Sequence, residues 1–208
     1  MQQLPTRKLI IETLLEKWNP EKQTEMISID NALNRVLAKD YEALYSIPVV
    51  RASAMDGVAV IPDTSDWVLG EDFARADTGD DFDDRYDAVI PIEDVSISED
   101  GKLSINDSIC VKPNMNIRPA GSTIHKGETV GHTNRRLQSF DLACLAMGGI
   151  TEIEVYKKPR VAFLPTGSEL VPLGQDVPRG KNIDSNSILV KNMLIEMGAE
   201  PILYQITK

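Results

Sequence analysis

The chain has 208 residues, 42% apolar and 26% charged, with 22 Lys+Arg against 32 Asp+Glu, a formal charge of −10 and a pI near 4.7. Domains run to roughly 100–200 residues, so this length fits one large domain or two small ones. The acidic balance argues against nucleic acid or an anionic membrane as the main partner, since both need a basic surface, and no apolar run approaches the roughly 18 residues of a membrane span.

The first eighteen residues carry Glu12 and Glu16 and lack the uninterrupted apolar core of a signal peptide. Cys110 and Cys144 therefore read as two free thiols in a reducing, cytoplasmic setting. Charge is unevenly spread. Residues 63–100 hold fourteen acids and two bases, a local charge of −12, so the other 170 residues sum to +2. Two readings stand: a solvated face, or carboxylates displayed for a cation or partner.

Ile11, Leu14, Leu15 and Trp18 fall at helical spacing, which predicts an amphipathic helix over 6–18 ended by Asn19-Pro20. Ser28 and Asp30 can cap a second helix with Ile29, Leu33, Val36 and Leu37 on its buried side. From Tyr45 to Val111 short apolar runs (58–61, 88–92, 103–105, 109–111) alternate with turn-forming residues, a β pattern with a hairpin turn at Asp100-Gly101. After a loop-rich stretch, residues 140–147 predict a helix stopped by Gly148-Gly149, and 151–156 a strand. Lys157-Lys158-Pro159 is the clearest linker.

Beyond Pro159 the pattern changes. Val161–Leu164 is a continuous apolar run, as in a strand buried on both faces. A Pro- and Gly-rich loop follows, then a helix after Asp184-Ser185-Asn186 with Leu189, Met193 and Met197 facing inward, closed by Gly198, and a strand over 201–206. This is a βαβ unit with parallel strands. Two strands and one helix cannot cover both faces of a parallel sheet, so residues 160–208 are expected to be the opening third of an α/β domain, completed by further sequence or by another chain.

No phosphate-loop, dinucleotide-binding, H-E-x-x-H or C-x-x-C motif is present. Three short stretches stand out. In Ser53-Ala54-Met55-Asp56-Gly57 an acid and a Gly precede a strand, which reads either as a plain turn or as a carboxylate held for a hard cation such as Mg2+. Thr166-Gly167-Ser168-Glu169 follows the first parallel strand, where open α/β sheets bind ligands; it is either an ordinary loop or an anion cradle with Glu169 reaching a metal or hydroxyl. Asp184-Ser185-Asn186 is either a simple helix cap or a phosphate-facing helix start.

Taken together, SAMDGVAV (53–60), ADTG (76–79), DAVIPIED (87–94), NIRPAGSTIHKGE (116–128), LACLAMGGITEIEVYKKPRVAFLPTGSEL (142–170) and NIDSNSILVKNML (182–194) resemble the MoeA family of molybdopterin molybdenumtransferases, which includes the gephyrin E domain. The resemblance implies an α+β and α/β multidomain protein. Residues 1–45 with 128–158 would form a helix/strand linker and dimerisation region, 46–127 an inserted β domain, and 159–208 the start of a three-layer, MogA-like α/β domain that binds molybdopterin. It implies insertion of molybdate into adenylylated molybdopterin, with release of AMP, in a Mg2+-dependent step. Asp56, Thr78 and Glu169 would be catalytic, with Asp56 and Glu169 as metal ligands. Thr166, Gly167, Ser168, Asp184, Ser185 and Asn186 would bind the nucleotide-linked pterin, and Arg118 could grip an oxyanion. It further implies a cytoplasmic homodimer whose partners include a MogA-like adenylyltransferase and molybdoenzymes.

The sequence departs from the family pattern at Ser122-Thr123, where Glu-Asp is usual, at Ser168, where Asp is usual, at Val58, where Tyr is common, and at the acidic run Asp80-Asp81-Phe82-Asp83-Asp84. The alternative reading is a non-catalytic scaffold or binding protein that keeps the fold.

Overall fold

The computed structural model describes residues 6–17, 20–62, 64 and 67–207. In chain order its elements are α1 (Arg7–Lys17), β1 (Thr24–Ser28), β2 (Tyr41–Glu42), β3 (Ala52–Ser53), β4 (Gly57–Val60), β5 (Phe73–Ala76), β6 (Ala88–Pro91), β7 (Val95–Ile97), β8 (Leu103–Ile105), β9 (Ile117–Arg118), β10 (Thr129–Gly131), α2 (Ser139–Met147), β11 (Glu152–Tyr156), β12 (Arg160–Phe163), β13 (Leu170–Val171), β14 (Asn182–Ile183), α3 (Asn186–Glu196) and β15 (Glu200–Leu203). They divide into two compact units. One comprises the described parts of Met1–Lys39, Thr133–Gln138 and Glu152–Lys208; the other comprises Asp40–His132 and Ser139–Thr151.

In the first unit α1 forms where the periodicity predicts it. The Thr6 hydroxyl accepts the Leu9 N–H at 3.3 Å and the Thr6 carbonyl accepts the Ile10 N–H at 3.0 Å. No α1 side chain is buried, however, and Leu9, Ile10, Ile11, Leu14 and Leu15 all face solvent. Trp18 and Asn19, the expected end of this helix, lie outside the described residues. β1 and β11 pair antiparallel from Thr24↔Tyr156 to Ser28↔Glu152, and Ile153, Val155, Leu37 and Leu137 are fully buried.

The second predicted helix does not form. Only a single 3-10 turn, Ile29–Asn31, follows Ser28, whose hydroxyl accepts the Asp30 N–H at 3.4 Å. Asn34 then adopts φ +64°, a left-handed conformation that ends any helix and that Asn tolerates better than most residues. Beyond it Val36 and Leu37 spend their backbone groups on neighbouring strands: Leu37 N–H on Arg135 O at 3.1 Å, and Val36 O accepting Tyr156 N–H at 2.9 Å.

β12 and β15 pair in parallel, Arg160↔Glu200 to Phe163↔Leu203, with α3 between them in sequence, as the βαβ reading predicts. The last strand ends at 203 rather than 206. The expected burial is absent: β12 is exposed from Arg160 to Ala162, and Leu189, Met193 and Met197 of α3 are 57%, 42% and 68% exposed. One helix on two strands supplies a single contact face, too little to bury these side chains. β13 and β14, a parallel pair of two residues each, also lie inside what reads as a plain loop.

In the second unit β4 is the central strand of the antiparallel sheet β5-β4-β6. Both of its faces are buried. Val58 and Val60 join Trp67, Phe73, Ile90 and Leu103 on one side, while Ala59 joins Ala76, Phe82, Tyr86 and Val89 on the other. This explains the unbroken apolar run in place of alternation. β7 and β8 form the predicted hairpin, with Gly101 at φ +80°, but no strand forms over 109–111. The acidic segment is mainly solvent-exposed among its described residues, which fits the solvated-face reading.

Arg51 ties that segment down. It donates to the Asp84 carboxylate at 3.1 Å, to Asp87 at 3.4 Å and to the carbonyls of Asp83 and Tyr86, and it lies 5.1 Å from the Phe82 ring centre. α2 ends as predicted. Gly149 has φ +84° and the Ile150 N–H reaches back to Leu145 O at 3.0 Å, a Schellman closure. Cys110 and Cys144 are free and exposed.

Candidate functional site

Two groups of the singled-out residues are organised by the fold, one in each unit. In the β unit the 53–57 turn is built around Ser53, which is fully buried at the end of β3. Its hydroxyl donates to Met55 O at 2.6 Å and accepts Met55 N–H at 3.3 Å, which closes the turn that carries Asp56 outward. Gly57 then enters β4 against the backbone of β6. A Cβ there would stand 2.0 Å from Ile90 O, so no side chain fits.

Register brings the second residue in. Gly57 pairs with Ala76, the last residue of β5, so the turn following β5 lies beside Asp56. That turn is closed by Asp80 N–H on Asp77 O at 2.9 Å and by Asp77 N–H on an Asp80 carboxylate oxygen at 3.0 Å. It docks on Ser53 through Gly79 N–H to Ser53 O at 2.9 Å and Ser53 N–H to Asp80 O at 3.0 Å. The docking places Thr78 on Asp56. The Thr78 N–H and hydroxyl both donate to Asp56 Oδ1, each at 2.7 Å.

Those donors, the hydroxyl first and the backbone N–H second, hold the Asp56 carboxyl below its ordinary range. Oδ2 has no partner among the described residues. Asp56 is thus an exposed, ionised carboxylate fixed through one oxygen and open at the other. Arg118, on β9, donates to Thr123 Oγ1 at 2.6 Å, so a neutral hydroxyl orients its guanidinium.

In the other unit the 166–169 turn is pinned from both ends. Gly167 N–H donates to Thr207 O at 3.1 Å and Thr207 N–H to Pro165 O at 2.9 Å. The Glu169 carboxylate folds back over Gly167, where an added Cβ would meet its oxygens at 2.5 and 2.7 Å. The β13–β14 ladder carries the turn to the start of α3: Asn182 N–H donates to Glu169 O and Asp184 N–H to Val171 O, both at 2.9 Å.

Asp184, 8% exposed, is the working cap of α3. Its carboxylate accepts the Ser187 N–H at 3.1 Å and the Ser187 hydroxyl. Ser185, at the cap position itself, makes no side-chain cap bond, and Asn186 is exposed. Sequence reasoning missed Lys181, whose ammonium donates to Ser168 O and clips the loop onto the turn. Its only signal is a cation just before the 182–186 stretch.

Among the described residues no three His, Cys, Asp or Glu side chains gather as a metal site. Mg2+ usually takes one or two carboxylates and completes its shell with water and substrate phosphates. Asp56 Oδ2 fits that donor pattern.

The sequence model of the family described as MoeA N-terminal region (domain I and II) matches residues 6–149. The chain is 33% identical over 208 residues to the molybdopterin molybdenumtransferase of Haemophilus influenzae, covering 91% of this chain and 51% of that one. It is 28% identical over 223 residues to the protein of the same name from a Nostoc species, covering 96% and 50%. Among solved structures, a molybdopterin biosynthesis MoeA protein from Pyrococcus horikoshii OT3 superposes with a TM-score of 0.80 at 26% identity, covering 94% of this chain and 58% of that one. The chain spans about half the length of the curated relatives it matches.

Proposed function

The chain belongs to the MoeA family through its N-terminal region, and from that premise we propose that it acts in molybdenum cofactor biosynthesis as part of a molybdopterin molybdenumtransferase. In this reading molybdate is inserted into adenylylated molybdopterin and AMP is released. The observation that carries the proposal is the Asp56–Thr78 arrangement: an exposed carboxylate held ionised and fixed through one oxygen, with the other turned to solvent.

Asp56 Oδ2 would hold a divalent cation, which would supply neutralisation of charge on phosphate oxygens. Thr78 fixes the carboxylate in place. In the other unit Glu169 would offer its own carboxylate, and since the Gly167 N–H is spent on Thr207 O, the Ser168 and Glu169 N–H groups remain for an anion. Because Asp184 is committed to capping, Ser185, Asn186 and the α3 N-terminus are the groups left to face phosphate, and Asp184 is a positioning residue.

The proposal extends to a homodimer. In its support, α1 leaves its apolar side chains exposed. It also extends to the linker, inserted β and MogA-like divisions of the chain, to an adenylyltransferase that supplies the substrate, and to a cytoplasmic setting. Among the described residues no helix is long and apolar enough to cross a membrane.

Calorimetry of the protein with AMP, Mg2+ and molybdate tests this reading. It expects saturable, Mg2+-dependent nucleotide binding that Glu169→Ala weakens at least tenfold. Absence of any nucleotide or molybdate binding by the folded protein would favour the scaffold reading instead.

A further inference from the structure

The first unit contains a cleft of about 660 Å³ between the β1/β11 pair and the start of the α/β segment, none of whose lining residues belongs to either group described above. Its volume lies within the range of small-molecule sites, roughly 300–1,000 Å³. In a chain of net charge −10 its lining is strongly basic. Lys22, Arg136, Lys157, Lys158 and Arg160 line it together with Arg35, against a single carboxylate, Glu21.

Arg35 is neutralised by Glu25. The other five cations have no ion-pair partner among the described residues, although Glu200 stands opposite Arg160 in the β12–β15 ladder. Three of the five are held by neutral groups. Lys22 lies 5.0 Å from the centre of the Tyr156 ring, Arg136 donates to Glu196 O at 3.3 Å, and Lys157 donates to Gln23 Oε1 at 3.4 Å. Their positions are therefore set while their charge stays uncompensated. A concave surface lined by one sign of charge concentrates counter-ions of the other.

We propose that this cleft is a binding site for a polyphosphate group, free or carried by a nucleotide. Several cations spread around one pocket suit a ligand with several anionic oxygens better than a single-centre oxyanion. The guanidinium groups of Arg136 and Arg160 offer forked donors to phosphate. Val36 and Met197 add apolar lining on which a base can lie.

Isothermal titration of the protein with tripolyphosphate, ATP and sulfate tests the proposal. In Mg2+-free buffer, which leaves the Mg2+-dependent nucleotide site proposed above unfilled, tripolyphosphate and ATP are expected to compete for one site per chain, to bind at least tenfold more tightly than sulfate, and to weaken as salt rises. Equal affinities for the two mean that phosphates alone are read; tighter ATP binding adds the base on the apolar lining. The double variant Lys158→Gln/Arg160→Gln, and separately Lys22→Gln, should each lower affinity tenfold or more with unchanged melting curves. Lys112→Gln, at an exposed lysine of the other unit, should bind as wild type does. The proposal is overturned by no saturable binding at millimolar ligand, by sulfate binding as tightly as tripolyphosphate, or by wild-type affinity in the cleft variants.

Discussion

Thr78 gives both its backbone N–H and its hydroxyl to one oxygen of Asp56, each at 2.7 Å, across 22 residues of sequence. The arrangement stabilises the ionised carboxylate and depresses its pKa. A carboxyl whose folded pKa lies below its unfolded one contributes stability above the unfolded pKa, and that stability is lost as pH falls through the folded pKa. Thr78→Val removes the hydroxyl and keeps the N–H. Carboxyl-carbon NMR titration should show Asp56 moving back toward the ordinary Asp range, with acid unfolding that depends less on this group. An unmoved titration would show that the hydroxyl is not what holds it.

Gly57 is a packing necessity. A Cβ would sit 2.0 Å from Ile90 O, a backbone atom that cannot swing aside. Gly57→Ala should destabilise the protein by about 1–3 kcal/mol or more, measured by urea unfolding, with disturbed amide signals along β4 and β6. Wild-type stability would mean that the two strands can separate without cost.

Arg51 joins two acids, two carbonyls and a ring in one contact set. Arg51→Ala should cost about 1–3 kcal/mol, and Arg51→Lys should recover little of it, because a single ammonium cannot reproduce the forked donors. Hydrogen exchange should quicken at Tyr86 and Asp87, whose amides bond to Asp83 O and Val60 O. Full recovery by Lys would reduce the contact to simple charge.

Asp184→Ala removes the α3 cap and should cost about 0.5–2 kcal/mol in thermal unfolding. The Ser187 amide should lose protection first, since the Asp184 carboxylate is its acceptor. Asp184→Asn should retain most of the stability, as Asn caps nearly as well.

Much of this was legible beforehand, for identifiable reasons. The apolar runs at 58–61 and 88–92, the Asp100-Gly101 hairpin and the Gly148-Gly149 stop are local signals, and each corresponds to an observed feature. Residues 28–37 misled because Val36 and Leu37 fit a helical stripe, yet the backbone turns left-handed at Asn34 and pairs with strands more than ninety residues away. The expectation that α3 hides Leu189 and Met193 came from periodicity, but its sequence is apolar on most sides, with Lys191 and Glu196 as its only charges, so periodicity cannot define one buried face. The Asp56–Thr78 pairing depends on the β4–β5 register, which no spacing rule supplies; only the family resemblance placed the two together. The two-residue strands β13 and β14 are too short to leave a pattern.

The central claim is that Asp56, fixed by Thr78, is required for molybdenum insertion. Its most direct test is rescue of molybdoenzyme activity in cells lacking their own insertase, using the complete reading frame that encodes this chain and the same frame carrying Asp56→Asn. The account predicts that the unaltered gene restores activity, while the variant, expressed and folded to the same level, restores less than about a hundredth of it. Equal rescue by the two genes would contradict it.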